Sequence, residues 1–296
     1  MAPAALIINY SLLIINYSLL IIHYSFLHTL RQRFQNKTIW ITGASSGIGE
    51  AAAYRFAQEG ASIILTARNV EKLDEVAKKC KDLGANDACT LPYDLSDLDG
   101  LEALADKAWN LLGHIDILFN NAGISQRSTT LETEMAVIRK VMDVDFYAPV
   151  LLTKSLLPRI IAQGGGQIVA TTSIAGRFGF PLRCAYSSAK HALYGFFETL
   201  QAEHFKDNIH VTIICPGRVS TAISLHALHG DGREHGRMDP GQASGISAER
   251  AAKQIANAVY RKRPEVLVGG KELLIVHIKR FLPTLASRLA RNLKPM

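Results

Sequence analysis

Cysteine is scarce and badly spaced for chemistry. Cys80, Cys89, Cys184 and Cys215 form no CxxC pair and sit beside no histidine cluster. This argues against a disulfide framework or a structural metal and makes a reducing compartment the natural setting. The histidines that crowd residues 204–235 match no zinc spacing either, so no metal is expected. Basic segments interleaved with base-stacking aromatics are also missing, and nucleic acid is not an expected partner. The net charge of +7 is local: residues 250–296 hold eleven Lys/Arg against Glu265 and Glu272, whereas the rest of the chain carries 22 basic and 24 acidic groups. A basic tail beside a nearly neutral body suits contact with a membrane surface better.

Charge is absent altogether from residues 2–30, apart from histidine titration. They repeat a seven-residue unit as LIINYSL, LIINYSL and LIIHYSF. An apolar run of roughly 24 residues is long enough to cross a bilayer. Arg31, Arg33 and Lys37 follow it and would hold the body on the cytoplasmic side. No basic segment precedes the run, which disfavours a cleavable signal peptide. Heptads this regular also arise from a repeated seven-nucleotide DNA unit read through an upstream start. Residues 1–35 are therefore either a membrane anchor or a mis-assigned start, and the protein is expected in the cytoplasm or on a membrane facing it.

From Asn36 onward no Pro/Gly/Ser linker divides the chain, and its apolar runs are short and regularly spaced. Strands are predicted at Thr38–Thr42, Ser62–Thr66, Ala88–Pro92, Ile115–Asn120, Gln167–Thr172, His210–Cys215 and Val266–Val268. Helices are predicted near 47–59, 70–84, 97–112, 132–162, 186–206 and 248–262. Strands apolar throughout and separated by helices indicate a parallel sheet covered on both faces. Right-handed crossovers then give a doubly wound α/β fold, with ligands at the carboxyl ends of the strands. The predicted domain spans 36–270, with a long loop at 216–247 of the kind that forms lids or binding walls. Residues 271–296 form a basic amphipathic extension that Pro283 should break, and that would lie on a membrane surface, cap the substrate cleft or pack against a partner subunit.

Directly after the first predicted strand stand Gly43, Ser45, Ser46, Gly47, Ile48 and Gly49, in the order Gly-x-x-x-Gly-x-Gly. Glycines there allow a tight turn, close approach of a pyrophosphate, and packing of helix on sheet. The phosphates would sit over a helix N-terminus, where free N–H groups favour negative charge. At the end of the second strand NAD would want a carboxylate for its ribose hydroxyl. This chain has Ala67 and then Arg68, a cation suited to a 2′-phosphate, so NADP(H) is the expected cofactor.

Tyr186 and Lys190 are four residues apart, one above the other on a helix. An ammonium about 4 Å from the phenol contributes roughly 4 kcal/mol toward the phenolate at an effective dielectric of 20. With TGASSGIG at 42–49, Asp94 in YDLSD, NNAG at 120–123, Ser173 in TTSIAG, YSSAK at 186–190 and PGRVST at 216–221, the order resembles the short-chain dehydrogenase/reductase family. GRFGFP at 176–181, HALYGFFETL at 191–200 and the basic tail look like its membrane-associated member 7-type subgroup.

That resemblance implies a Rossmann-type sheet of seven parallel strands and hydride transfer between NADP(H) and a carbonyl or secondary alcohol. It implies that Tyr186 is the acid/base, Lys190 tunes it and binds the nicotinamide ribose, and Ser173 orients the substrate oxygen. Asp94 would meet the adenine amino group. Asn120, Ala122 and Gly123 would form the floor under the adenosine, and Pro216, Gly217, Val219 and Thr221 would embrace the carboxamide. Homodimers or homotetramers are implied as well. The sequence departs from the family at Asp145, where an asparagine usually helps hold a water beside the lysine. Apolar flanks suggest a lipophilic substrate, with Phe178, Phe180 and Leu182 either lining its wall or packing the loop. The competing reading is an NADP(H)-binding scaffold or redox sensor without turnover.

Overall fold

The computed structural model describes residues 32–292; the apolar repeat lies outside them. Seven parallel strands, β1 (Thr38–Thr42), β2 (Ser62–Thr66), β3 (Ala88–Thr90), β4 (Ile117–Asn120), β5 (Gly166–Thr171), β6 (Ile209–Pro216) and β7 (Glu265–Val268), form one sheet in the order β3-β2-β1-β4-β5-β6-β7. Every residue of β1 and β4 is buried, because helices cover both faces. Registration is in step, with Trp40 opposite Ile64 on one side and Leu118 on the other. The Trp40 indole donates to Thr66 Oγ1 at 2.9 Å, so its one polar atom is satisfied inside the core.

On one face lie α1 (Gly47–Gln58), α2 (Val70–Asp82) and, later in the chain, α8 (Ala248–Tyr260), whose Phe56, Leu73 and Ile255 pack on the sheet. The other face carries α3 (Leu101–Leu112), α5 (Ala148–Ala162) and α6 (Cys184–Glu203), which contribute Leu104, Leu156 and Phe197. Side-chain caps fix the starts of two helices: Asn69 accepts from Lys72 N, and Ser247 accepts from Arg250 N.

The single helix predicted for 132–162 is instead α4 (Met135–Met142), a π-turn at Asp143–Tyr147, and α5. Pro149 has no N–H, so the Asp145 carbonyl loses its α-helical donor at this point. Ala148 N–H instead bonds Asp143 O, five residues back. The 216–247 loop is well packed, with a short helix α7 (Pro240–Ala243), a Val219–Ile246 bridge and Leu228 bridged to Gln126. As expected, Pro283 divides the tail into α9 (Leu274–Phe281) and α10 (Pro283–Asn292). Among the described residues no helix is long and apolar enough to cross a membrane.

The body begins earlier than Asn36. Phe34 is buried edge-on against Phe56, and Arg33 pairs with buried Glu59 and donates to Asn257 on α8. Arg33, expected in a flanking basic cluster, is a structural residue of the fold.

Candidate active site

The strand order reverses between β1 and β4, and a cleft of about 860 Å³ opens at the carboxyl ends of the strands there. The first turn after β1 forms one end. Gly43 takes φ +65°, and a Cβ on it would lie 2.7 Å from Ala122 Cα. Gly49 faces inward: a Cβ there would meet Gly43 O at 2.2 Å and Asn121 Nδ2 at 2.6 Å. Gly49 therefore brings α1 onto the turn, while Gly43, Ser45, Ser46, Gly47 and Ile48 line the cleft itself. Asn121 holds the turn by donating to Thr42 O and Gly43 O, and accepts from Thr171 Oγ1 on β5.

At the β2 end the wall contains Arg68 and Asp94. Burial acts to raise the Asp94 carboxyl, but bonds from Ser96 N and Oγ, with Arg68 nearby, hold it below the usual carboxylate range. Among the described residues, no carboxylate lies within ion-pairing distance of Arg68.

At the opposite end Ser173 closes β5, and Tyr186 stands in the first turn of α6. Both line the cleft and are nearly buried. Lys190, one turn on, also lines the cleft and is nearly buried: Nζ donates to Thr171 O at 3.0 Å and lies 5.7 Å from the Tyr186 ring centre. The π-turn delivers Asp145, fully buried, with Oδ2 3.2 Å from Lys190 Nζ and Oδ1 accepting from Ile124 N at 2.7 Å. Burial pushes the Asp145 carboxyl up, and Lys190 only partly opposes it.

This arrangement joins a glycine turn for phosphates, a buried Tyr–Lys pair and a strand-end serine in one cleft. The chain also matches the short chain dehydrogenase family over residues 37–230. It belongs to that family. A mosquito relative, the "Dehydrogenase/reductase SDR family protein 7-like" of Anopheles gambiae, is 41% identical over 242 residues, covering 80% of this chain and 76% of the relative. The "Dehydrogenase/reductase SDR family member 7B" of Xenopus laevis is 38% identical over 257 residues, covering 85% and 80%. The chain thus falls in the 7-like subgroup.

Among solved structures, a short-chain dehydrogenase from Burkholderia phymatum in complex with NAD aligns with TM-score 0.75 and 25% identity, covering 86% of this chain and 96% of that one. A metagenomic short-chain oxidoreductase in complex with NADP aligns with TM-score 0.66 and 28% identity, covering 80% and 98%.

In this short-chain dehydrogenase Ala122, Gly123, Pro216, Gly217, Val219 and Thr221 all line the cleft. Asn120 does not. Its amide turns inward to donate to Thr153 Oγ1, and the next residue, Asn121, takes the place at the cleft. Phe180 lines the cleft, whereas Phe178 is buried behind it, 5.4 Å between ring centres.

Three contributors carry no motif. Gln242 lines the cleft and donates to Val219 O and Thr221 Oγ1, fixing the 216–221 segment. Glu272 reaches back from the tail, accepting from Gly270 N at 2.9 Å and from Arg218 N at 2.8 Å. Arg183 stands immediately before α6 and lines the cleft near Tyr186.

Proposed function

We propose that this short-chain dehydrogenase is an NADP(H)-dependent oxidoreductase acting on a lipophilic carbonyl compound or secondary alcohol. The observation that carries the reading is the placement of Ser173, Tyr186 and Lys190 at one end of a cleft whose other end is the Gly43–Ile48 turn. The residues fit the cofactor. The turn presents N–H groups for a pyrophosphate, Asp94 offers an acceptor, and the guanidinium of Arg68, without a carboxylate partner among the described residues, supports a 2′-phosphate over a bare ribose hydroxyl. When bound, a reduced nicotinamide supplies the hydride.

The chain's own residues do the rest. Ser173 Oγ holds the substrate oxygen, and Tyr186 passes its phenolic proton to that oxygen as the carbonyl becomes an alcohol. Lys190, fixed by Thr171 O and Asp145, supplies the positive charge that stabilises the phenolate left behind. Phe180, Ile174 and Ile223 give the wall near Tyr186 an apolar surface, which supports a lipophilic substrate.

The test is the Tyr186→Phe variant with NADPH and a carbonyl panel. Turnover should fall at least about a hundredfold, the scale of acid–base catalysis, with NADPH binding retained. Turnover equal to wild type overturns the role of Tyr186 as the acid, and no turnover by wild type across the panel overturns the enzyme reading and favours the scaffold.

The tail supports membrane contact. Phe281 and Leu282 are largely exposed, Leu285 and Leu289 extend the same apolar surface, and Lys279, Arg280, Arg288 and Arg291 accompany them without an acidic residue. Vesicles containing anionic lipid should co-sediment the 32–296 protein, and Phe281→Ser with Leu285→Ser should release it. Equal sedimentation of both proteins counts against this surface.

A further inference from the structure

The cation balance beside Tyr186 is uneven. Asp239, on the 216–247 loop, gives its Oδ2 to Arg127, which donates from Nε at 2.9 Å and Nη2 at 2.7 Å. Arg127 is otherwise satisfied, since Nη1 donates to Ser125 Oγ and Gln126 O. Arg183 donates only from Nη2, at 3.3 Å, to that same Oδ2. Its Nε is sealed from solvent and has no partner. His235 lies 3.4 Å from Asp239 Oδ1 with its pKa lowered by burial, so it adds no negative charge and no third cation beside that carboxylate.

A buried guanidinium and a part-buried one therefore share one carboxylate, and the under-bonded, part-buried one lines the cleft. Burial, then repulsion from Arg127, lowers Arg183 to about 10, leaving it a cation at neutral pH. Leaving a buried donor and charge short of partners is costly, and a planar guanidinium is the natural partner of a carboxylate. The Phe180 ring lies 5.5 Å from its Cζ, placing an apolar surface beside the charge.

We propose that the substrate of this enzyme carries a carboxylate as well as its reacting carbonyl or hydroxyl, and that Arg183 binds it. The site selects an amphiphilic oxo- or hydroxy-acid: Phe180 receives its apolar part, and the part-exposed Arg183 guanidinium at the cleft wall donates to its acid group. This specifies the substrate class within the oxidoreductase reading above and rests on it.

The experiment uses a chain-length series of oxo-acids and their methyl esters with NADPH. Wild type should favour the acid over its ester by about tenfold to a hundredfold in kcat/KM at the best chain length, the scale of one charge-assisted contact. Arg183→Gln should bring that ratio close to one, and Arg183→Lys should keep part of it. A wild-type ratio near one overturns the assignment. So does an Arg183→Gln variant that lowers acid and ester together, because a structural tie to Asp239 would act on both alike.

Should neither compound turn over, the oxidoreductase reading fails on its own and binding decides the carboxylate site. Thermal protection of wild type by the oxo-acids, absent with the esters and absent in Arg183→Gln, supports the site. Equal protection, or none, overturns it.

Discussion

Asp145 Oδ2 lies 3.2 Å from Lys190 Nζ, and both side chains are buried. Lys190 thus faces Tyr186 as one member of a pair, and the departure from the family asparagine falls on its partner. Asp145 also caps Ile124 N, a task an asparagine carbonyl performs equally well.

Asp145→Asn is therefore expected to fold and to keep kcat within about tenfold of wild type, whereas Asp145→Leu leaves Lys190 buried without its partner and should cost about 3–5 kcal/mol. A gain of orders of magnitude in Asp145→Asn would show that the carboxylate impairs the relay. The pH dependence has a definite sign. Burial raises the folded-state pKa of Asp145 above its unfolded 3.8, so the native state binds more protons in that window. The stability of wild type relative to Asp145→Asn should be greatest at low pH and fall as pH rises from about 4 through the raised value. Denaturant melts of the two proteins across that range measure it.

Glu272 behaves in the opposite way. Burial acts to raise it, but the N–H bonds from Gly270 and Arg218 prevail and its pKa is lowered. Its contribution to stability is present in full above the unfolded 4.5 and is lost as pH falls through the lowered folded value. Wild type and Glu272→Gln should differ in Tm at neutral pH and converge in acid. A gap independent of pH would refute the carboxylate's role in holding Arg218.

Arg68→Ala should reduce the preference for NADPH over NADH, as a ratio of kcat/KM, by about tenfold to a hundredfold, the scale of hydrogen bonds to a charged group. Stopped assays with both cofactors read that ratio directly. An unchanged ratio would place the 2′-phosphate away from Arg68.

The sheet was legible because each strand is a short apolar run bounded by turn residues, and burial on both faces leaves that imprint on the sequence. Ser173, Tyr186 and Lys190 line one cleft because one strand end and one helical turn deliver them there. What escaped depends on distant pairings. Arg183 meets Asp239 from 56 residues away, and Glu272 meets Arg218 from 54, so neither local pattern nor spacing announces them. The π-turn escaped because helical periodicity runs through Met135–Ala162 almost undisturbed, and only the missing N–H of Pro149 marks the break. Asn120 was misjudged because two adjacent asparagines at a strand end point in opposite directions, one toward α5 and one toward the cleft.

The ion pair of Arg33 with Glu59 fixes where the polypeptide joins the catalytic body, at the amino edge of β1. The chemistry lies past that strand's other edge, about 17 Å away for five extended residues. Purification handles or fluorescent fusions placed ahead of Gln32 will thus emerge on the far side from the reaction, whereas fusions to the carboxyl terminus sit on the arm that grips the Arg218 backbone.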